Sequence, residues 1–173
     1  MNIINFEFKA IANDLEKLER KLQELNPIFK GEDHQIDTYF NVSKGRLKMR
    51  EGNIENSLIY YERKNDADAK QSDVILYEHP SSPSLKNILI KLHGIKVIVD
   101  KRRRIYFIDN VKFHFDTVKD IGSFVEVEAQ DAAENAVVEK LQMQCKQYFD
   151  LFELKQEDYV NVSYSDLLMG VDS

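Results

Sequence analysis

Charged residues in this chain are sorted by sign along segments of period two. Arg46, Lys48 and Arg50 alternate with Leu47 and Met49 as a purely cationic row, and Glu126 and Glu128 alternate with Val125 and Val127 as a purely anionic one. Near the N-terminus, Glu7 and Lys9 occupy one parity, Phe6 and Phe8 the other. Period two is the signature of a strand, so each segment has one charged and one apolar face. Two arrangements fit. An antiparallel sheet with one solvated side is the commoner. The other turns the charged face inward, as a tunnel in which cations hold an anion and carboxylates hold a metal ion. A solvated sheet has no need of sorting by sign, and amphipathic helices need an apolar sheet face to cover. If helices wrap the outside, the charges face in.

The remaining pattern supplies such helices. Ile11, Leu15, Leu18, Leu22 and Leu25 recur at helical spacing before Pro27, and Leu85, Ile88, Leu89 and Leu92 do so before Gly94. A third helix is expected from Ala132 to Phe149, with Val137, Leu141 and Tyr148 as buried candidates, and a short one from Tyr164 to Met169 before a frayed tail at 170–173. Strands are expected at Asn2–Lys9, Gln35–Val42, Arg46–Arg50, Leu58–Arg63, Asp73–Glu78, Ile95–Val99, Arg103–Ile108, Val111–Val118 and Phe124–Ala129, with Lys64–Ser72 as an exposed loop. Short turns such as Asp109-Asn110 make neighbours antiparallel. The predicted class is α+β: an antiparallel sheet of about eight strands, open or closed into a barrel, with helices packed outside, forming a single domain over residues 1–173.

A net charge of -6 argues against a broad nucleic-acid surface, so any basic site is local. The basic run at residues 101–104 is split between two faces by strand alternation, which puts Arg102 and Arg104 outside, against a helix. Cys145 is the sole cysteine, which excludes an internal disulfide and fits a buried filler of the third helix. No apolar run is long enough for a membrane span, and the first ten residues lack an apolar signal core. A cytoplasmic protein is expected, with no membrane or nucleic-acid partner; a homodimer is compatible with the sequence.

These motifs resemble the CYTH superfamily of triphosphate tunnel enzymes, named for class IV adenylyl cyclases and thiamine triphosphatases. The stretch Asn5-Phe6-Glu7-Phe8-Lys9 is similar to the family's Glu-x-Glu-x-Lys strand, with Asn5 in place of the first glutamate. Three further stretches, at 35–40, 45–50 and 58–63, resemble the class IV cyclase branch, as do residues 101–106, 114–118 and 124–128. The likeness runs in unbroken order from about residue 3 to 130. It implies an eight-stranded antiparallel tunnel that binds a triphosphate on basic residues and Mg²⁺ or Mn²⁺ on acidic ones. Carried over by position, Lys9, Arg46, Lys48, Arg50, Arg63, Lys101 and Arg103 would grip phosphate, and Glu7, Asp116, Glu126 and Glu128 would face the metal. Three linked phosphates carry about four negative charges, which a low-dielectric tunnel holds only with fixed cations and a metal.

Asn5 and His114 are further tunnel-lining candidates, Asn5 leaving the metal side one negative charge short of the family pattern. His34, His79 and His93 have no partner at metal-ligand spacing and read as surface or loop residues. Ile59, Tyr61 and Arg63 share one parity, Tyr60 and Glu62 the other, so alternation leaves open whether Arg63 or Glu62 points inward. The resemblance implies an enzyme acting on a nucleoside or other organic triphosphate, or on inorganic tripolyphosphate. Its reaction would be either cyclisation of ATP to cyclic AMP and pyrophosphate or hydrolysis by a triphosphatase. The competing class is a tunnel that binds polyphosphate or a nucleotide without turning it over.

Overall fold

A computed structural model describes residues 2–64 and 70–170, with the side chains of 2, 63, 64, 70 and 71 excepted. Among these residues eight strands close into an antiparallel barrel: β1 (Asn2–Ile11), β2 (Ile28–Phe40), β3 (Arg46–Glu51), β4 (Asn56–Lys64), β5 (Lys70–Glu78), β6 (Ile95–Ile108), β7 (Val111–Val118) and β8 (Gly122–Ala132). Around the barrel they run β1, β5, β4, β3, β2, β6, β7, β8 and back to β1. Four α-helices accompany them: α1 (Leu15–Gln23), α2 (Pro83–His93), α3 (Val138–Leu151) and α4 (Tyr164–Leu168).

Apolar parity positions the helices. Phe6 and Phe8 of β1, Phe113 and Phe115 of β7, and Val125 and Val127 of β8 form one buried cluster with Leu18 and Leu22 of α1 and Leu141 and Tyr148 of α3. Burying side chains of this size contributes about 1.5–3 kcal/mol each. A smaller cluster joins Leu89 of α2 to Phe40 and Met49. With helices on that face, the charged parity turns into the barrel.

Several boundaries differ from the sequence pattern. Ile95–Val99 and Arg103–Ile108 are one strand, β6, because Asp100, Lys101 and Arg102 keep their pairing with β2 through the charged stretch. β2 begins at Ile28, where Lys30 to His34 offer no apolar alternation, and the cross-strand partners Arg102, Arg103 and Arg104 hold it in the sheet. Helix α1 starts late: Ile11 pairs with Phe124 on β8, and the Asp14 carboxylate caps the helix at Lys17 N, 3.0 Å away. The third helix likewise starts at Val138, because Asp131 and Ala132 extend β8 beside β1; Val137 is exposed. The expected loop at Lys64–Ser72 is shortened by β4 and β5, and residues 65–69 lie outside the described residues, as do 171–173 of the expected tail. Helix α2 ends as the sequence indicates, at Gly94 with φ of 71°, a conformation glycine adopts freely. No helix among the described residues is long and apolar enough to cross a membrane.

Candidate active site

The barrel encloses a cavity of about 740 Å³, within the range of small-molecule sites. One end is capped by the segment leading into α4. Val160 N donates to Lys9 O at 2.8 Å, Lys9 Nζ donates to Val162 O at 3.2 Å, and Tyr164 and Ser163 line the floor. Ser163 and Asp166 form a reciprocal cap that fixes α4, and Arg46 locks it to β3 through Ser163 Oγ at 2.5 Å and Asp166 Oδ2 at 2.8 Å.

On one side of the cavity, cations outnumber carboxylates. Asp37 of β2, fully buried, accepts from Arg50 at 2.8 and 2.9 Å, from Lys101 at 2.7 Å and from Lys48 at 3.3 Å. Its burial pushes its pKa up, but Arg50, Lys101 and Lys48 together outweigh that and hold the carboxyl well below the usual range. Glu55 sits between Arg50 at 3.1 Å and Lys112 at 2.5 Å. Lys101 has the opposite balance: burial, with Arg50, Arg103 and Lys48 adding to it, pushes its pKa down to about 7 against the pull of Asp37.

On the other side carboxylates are in excess. Glu7 and Glu128 are directly opposed on β1 and β8, and Glu126 takes Lys9 at 3.3 Å and Arg103 at 2.7 Å. Burial, then the charge of Glu7, pushes Glu128 up to about 7. Buried His114 lies 3.1 Å from Glu126 and 3.7 Å from Glu128 through Nδ1, and burial pushes it down to about 3, leaving a neutral imidazole. Ligand atoms of His114, Glu126 and Glu128 lie within 4.8 Å of one another. Carboxylates crowded around Glu128, beside a neutral imidazole, suit a divalent cation, which would relieve their repulsion.

Of the residues singled out in the sequence, Asn5, Glu7, Lys9, Lys48, Arg50, Lys101, Arg103, Glu126 and Glu128 line this one cavity. Arg46 is directed to α4 instead. Asp116 is buried behind the wall, its oxygens taken by Arg103 at 2.7 and 2.6 Å and by Tyr164 at 2.6 Å, so it orients Arg103. Ile59 and Tyr61 face in, while Glu62 bonds Tyr60 and Lys44 outside; the side chain of Arg63 lies outside the described residues. His79 is at the cavity rim, and His34 pairs with Asp100 on the surface at 2.7 Å. Arg104 reaches Glu19 of α1 at 2.6 Å on the outer face. Cys145 is buried, its thiol pushed up to about 12 by that burial. Sequence reasoning missed Asp37, Glu55 and Lys112. Asp37 and Lys112 share the parity of inward-facing residues on their strands, a signal that was present; Glu55 sits in a turn and had none.

A profile of the CYTH domain matches residues 4–159. A comparison with curated protein sequences yields no match. Among solved structures, the PH1012 protein of Pyrococcus horikoshii OT3 is 26% identical with a TM-score of 0.81, covering 94% of this chain and 98% of its own. A candidate adenylate cyclase of Vibrio parahaemolyticus is 15% identical with a TM-score of 0.76, covering 96% and 98%. HpAC1 of Hippeastrum, in which triphosphatase activity is dominant, is 10% identical with a TM-score of 0.65, covering 99% and 97%. The latter two share the fold with this chain.

Proposed function

The chain belongs to the CYTH family, and from that membership we propose that it is a metal-dependent enzyme acting on a nucleoside or other organic triphosphate, as a class IV cyclase-like enzyme or a triphosphatase. The observation that carries this is one cavity inside the barrel with surplus cations on one wall and surplus carboxylates on another. A metal–polyphosphate complex is complementary to both.

In this reading Lys48, Arg50 and Lys101 bind the phosphates, with Asp37 holding the three cations in place until the anion arrives. Arg103, fixed by Asp116, and Lys9, fixed by Glu126 and the Val162 carbonyl, bind beside them. Glu7, Glu126 and Glu128, with His114, would hold Mg²⁺ or Mn²⁺. When bound, the metal supplies positive charge and Lewis acidity at the phosphate oxygens. The cap at residues 160–168 excludes water from one end, so water or a substrate hydroxyl must approach from the other. Arg46 positions that cap.

The test is incubation of the protein with ATP, thiamine triphosphate and tripolyphosphate, each with Mg²⁺ or Mn²⁺, and product identification by mass. Cyclic AMP with pyrophosphate establishes a cyclase, and orthophosphate a triphosphatase. Binding with no product from any of them replaces the enzyme by a binding module.

A further inference from the structure

Across the barrel from β6 and β7 the cavity wall changes character. On β4 and β5 it is lined by Ile59, Tyr61, Val74 and Leu76, which offer little to a phosphate. Beside them lie two buried polar atoms with no hydrogen-bond partner among the described residues, Asn5 Oδ1 and Ser72 Oγ. The two residues are direct cross-strand neighbours on β1 and β5, they are 6% and 2% exposed, and both line the cavity. An unmet polar group in a buried wall destabilises the empty protein, and such groups are retained where a ligand completes the bond. The Asn5 amide is oriented too. Its Nδ2 lies 3.5 Å from Glu7 Oε2, and the reverse orientation would set an amide oxygen against a carboxylate. Asn5 Oδ1 is therefore turned away from Glu7 and the acidic cluster.

We propose that this wall receives the organic group of the triphosphate. Asn5 Oδ1 and Ser72 Oγ accept hydrogen bonds from its hydroxyl or amino groups, and Ile59 and Val74 pack against its apolar face. The inference rests on the triphosphate reading and narrows it to a nucleoside triphosphate in preference to inorganic tripolyphosphate. It also gives Asn5 a role apart from metal ligation. A neutral amide can face a neutral sugar or base, whereas a carboxylate at this position would add to the charge already crowded on Glu7 and Glu128.

The test is calorimetric titration with chelator present, so that no turnover occurs, using ATP, 2′,3′-dideoxy-ATP, purine riboside triphosphate and tripolyphosphate. Ser72→Ala and Asn5→Ala should each weaken ATP binding about 2- to 10-fold, the worth of one hydrogen bond, and leave tripolyphosphate binding unchanged. The melting temperature of empty Ser72→Ala should be equal to or above that of the wild type, because an unmet group has been removed. The analogue that already binds weakly to the wild type, and loses nothing more in the variants, identifies the donor as ribose hydroxyl or base amine. Equal losses for ATP and tripolyphosphate, or ATP affinity indifferent to both substitutions, would overturn the subsite alone. Failure of tripolyphosphate to bind the wild type, in chelator and in Mg²⁺ alike, overturns the triphosphate reading and this inference with it.

Discussion

On the side of the tunnel formed by β2, β3 and β6, with Lys112 from β7, four cations share two carboxylates, Asp37 and Glu55. On the side formed by β1, β7 and β8, four carboxylates, Glu7, Asp116, Glu126 and Glu128, stand beside two cations, Lys9 and, from β6, Arg103, which pair with Asp116 and Glu126. The same barrel thus holds two charge imbalances of opposite sign. Neither serves folding, since charges withdrawn from water stabilise a fold only when closely matched. Each half is built the same way, with one deep carboxylate fixing cations from behind: Asp37 on the cation-rich side and Asp116 behind Arg103. The difference lies at the cavity surface, where one half presents ammonium and guanidinium groups and the other presents carboxylates. On the proposed function, phosphate belongs to the first and metal to the second.

The most severe way to disturb this comparison is to remove Asp37. Asp37→Asn leaves Lys48, Arg50 and Lys101 without their shared counter-charge, and breaking a buried pair in this way typically costs about 3–5 kcal/mol. Chemical denaturation should register that loss, and tripolyphosphate should restore much of it by binding only the native state. A variant as stable as the wild type would show that Asp37 does not hold the cationic half together. On the opposite wall, Glu128→Gln removes charge at nearly constant volume. Turnover should fall more than about a hundredfold, since even partners outside the first coordination sphere cost 10–100-fold, while the melting temperature in chelator stays within a few degrees. Unchanged activity at limiting Mg²⁺ takes Glu128 out of the metal site. Arg50→Ala should weaken tripolyphosphate binding roughly 10- to 100-fold, the range of a charge-assisted bond. Calorimetry that finds the same affinity in both proteins would place the phosphates elsewhere.

How much of the two halves was legible beforehand depends on locality. Alternation alone marked Lys48, Arg50, Glu126 and Glu128, because a strand's faces are fixed by parity whatever its neighbours do. The sorting of charge and the need of the helices for an apolar face favoured closure, and the family resemblance implied it. Partnership is not local. Nothing in the sequence near Arg46 says that it leaves the tunnel for Asp166, 120 residues on, or that Asp116 retires behind Arg103. The break read between Val99 and Arg103 failed for the converse reason: charged residues look like a loop until β2 supplies Asp37 to receive one of them. The same pairing that hid the length of β6 is what buries Lys101.

That burial carries the smallest of these effects and the one that separates the halves most finely. The folded-state pKa of Lys101, pushed down to about 7, lies below the ordinary lysine value of 10.5. Between those values the unfolded chain binds more protons than the native one, so this group's contribution makes stability rise as pH rises from about 7 toward 10.5, and its penalty is fully present below 7. An entering phosphate favours the charged form and moves the pKa back up. Tripolyphosphate binding above pH 7 should therefore draw a proton onto Lys101, roughly one per site at most near pH 8.5. Titrations in buffers of different ionisation enthalpy measure that uptake, and subtracting the value for Lys101→Met removes the protons exchanged by tripolyphosphate itself. A difference of zero would mean that Lys101 is already charged in the empty tunnel. Uptake would mean that the cation-rich half reaches its full surplus only when the anion arrives, so that its imbalance is smaller in the empty protein than a count of its side chains suggests.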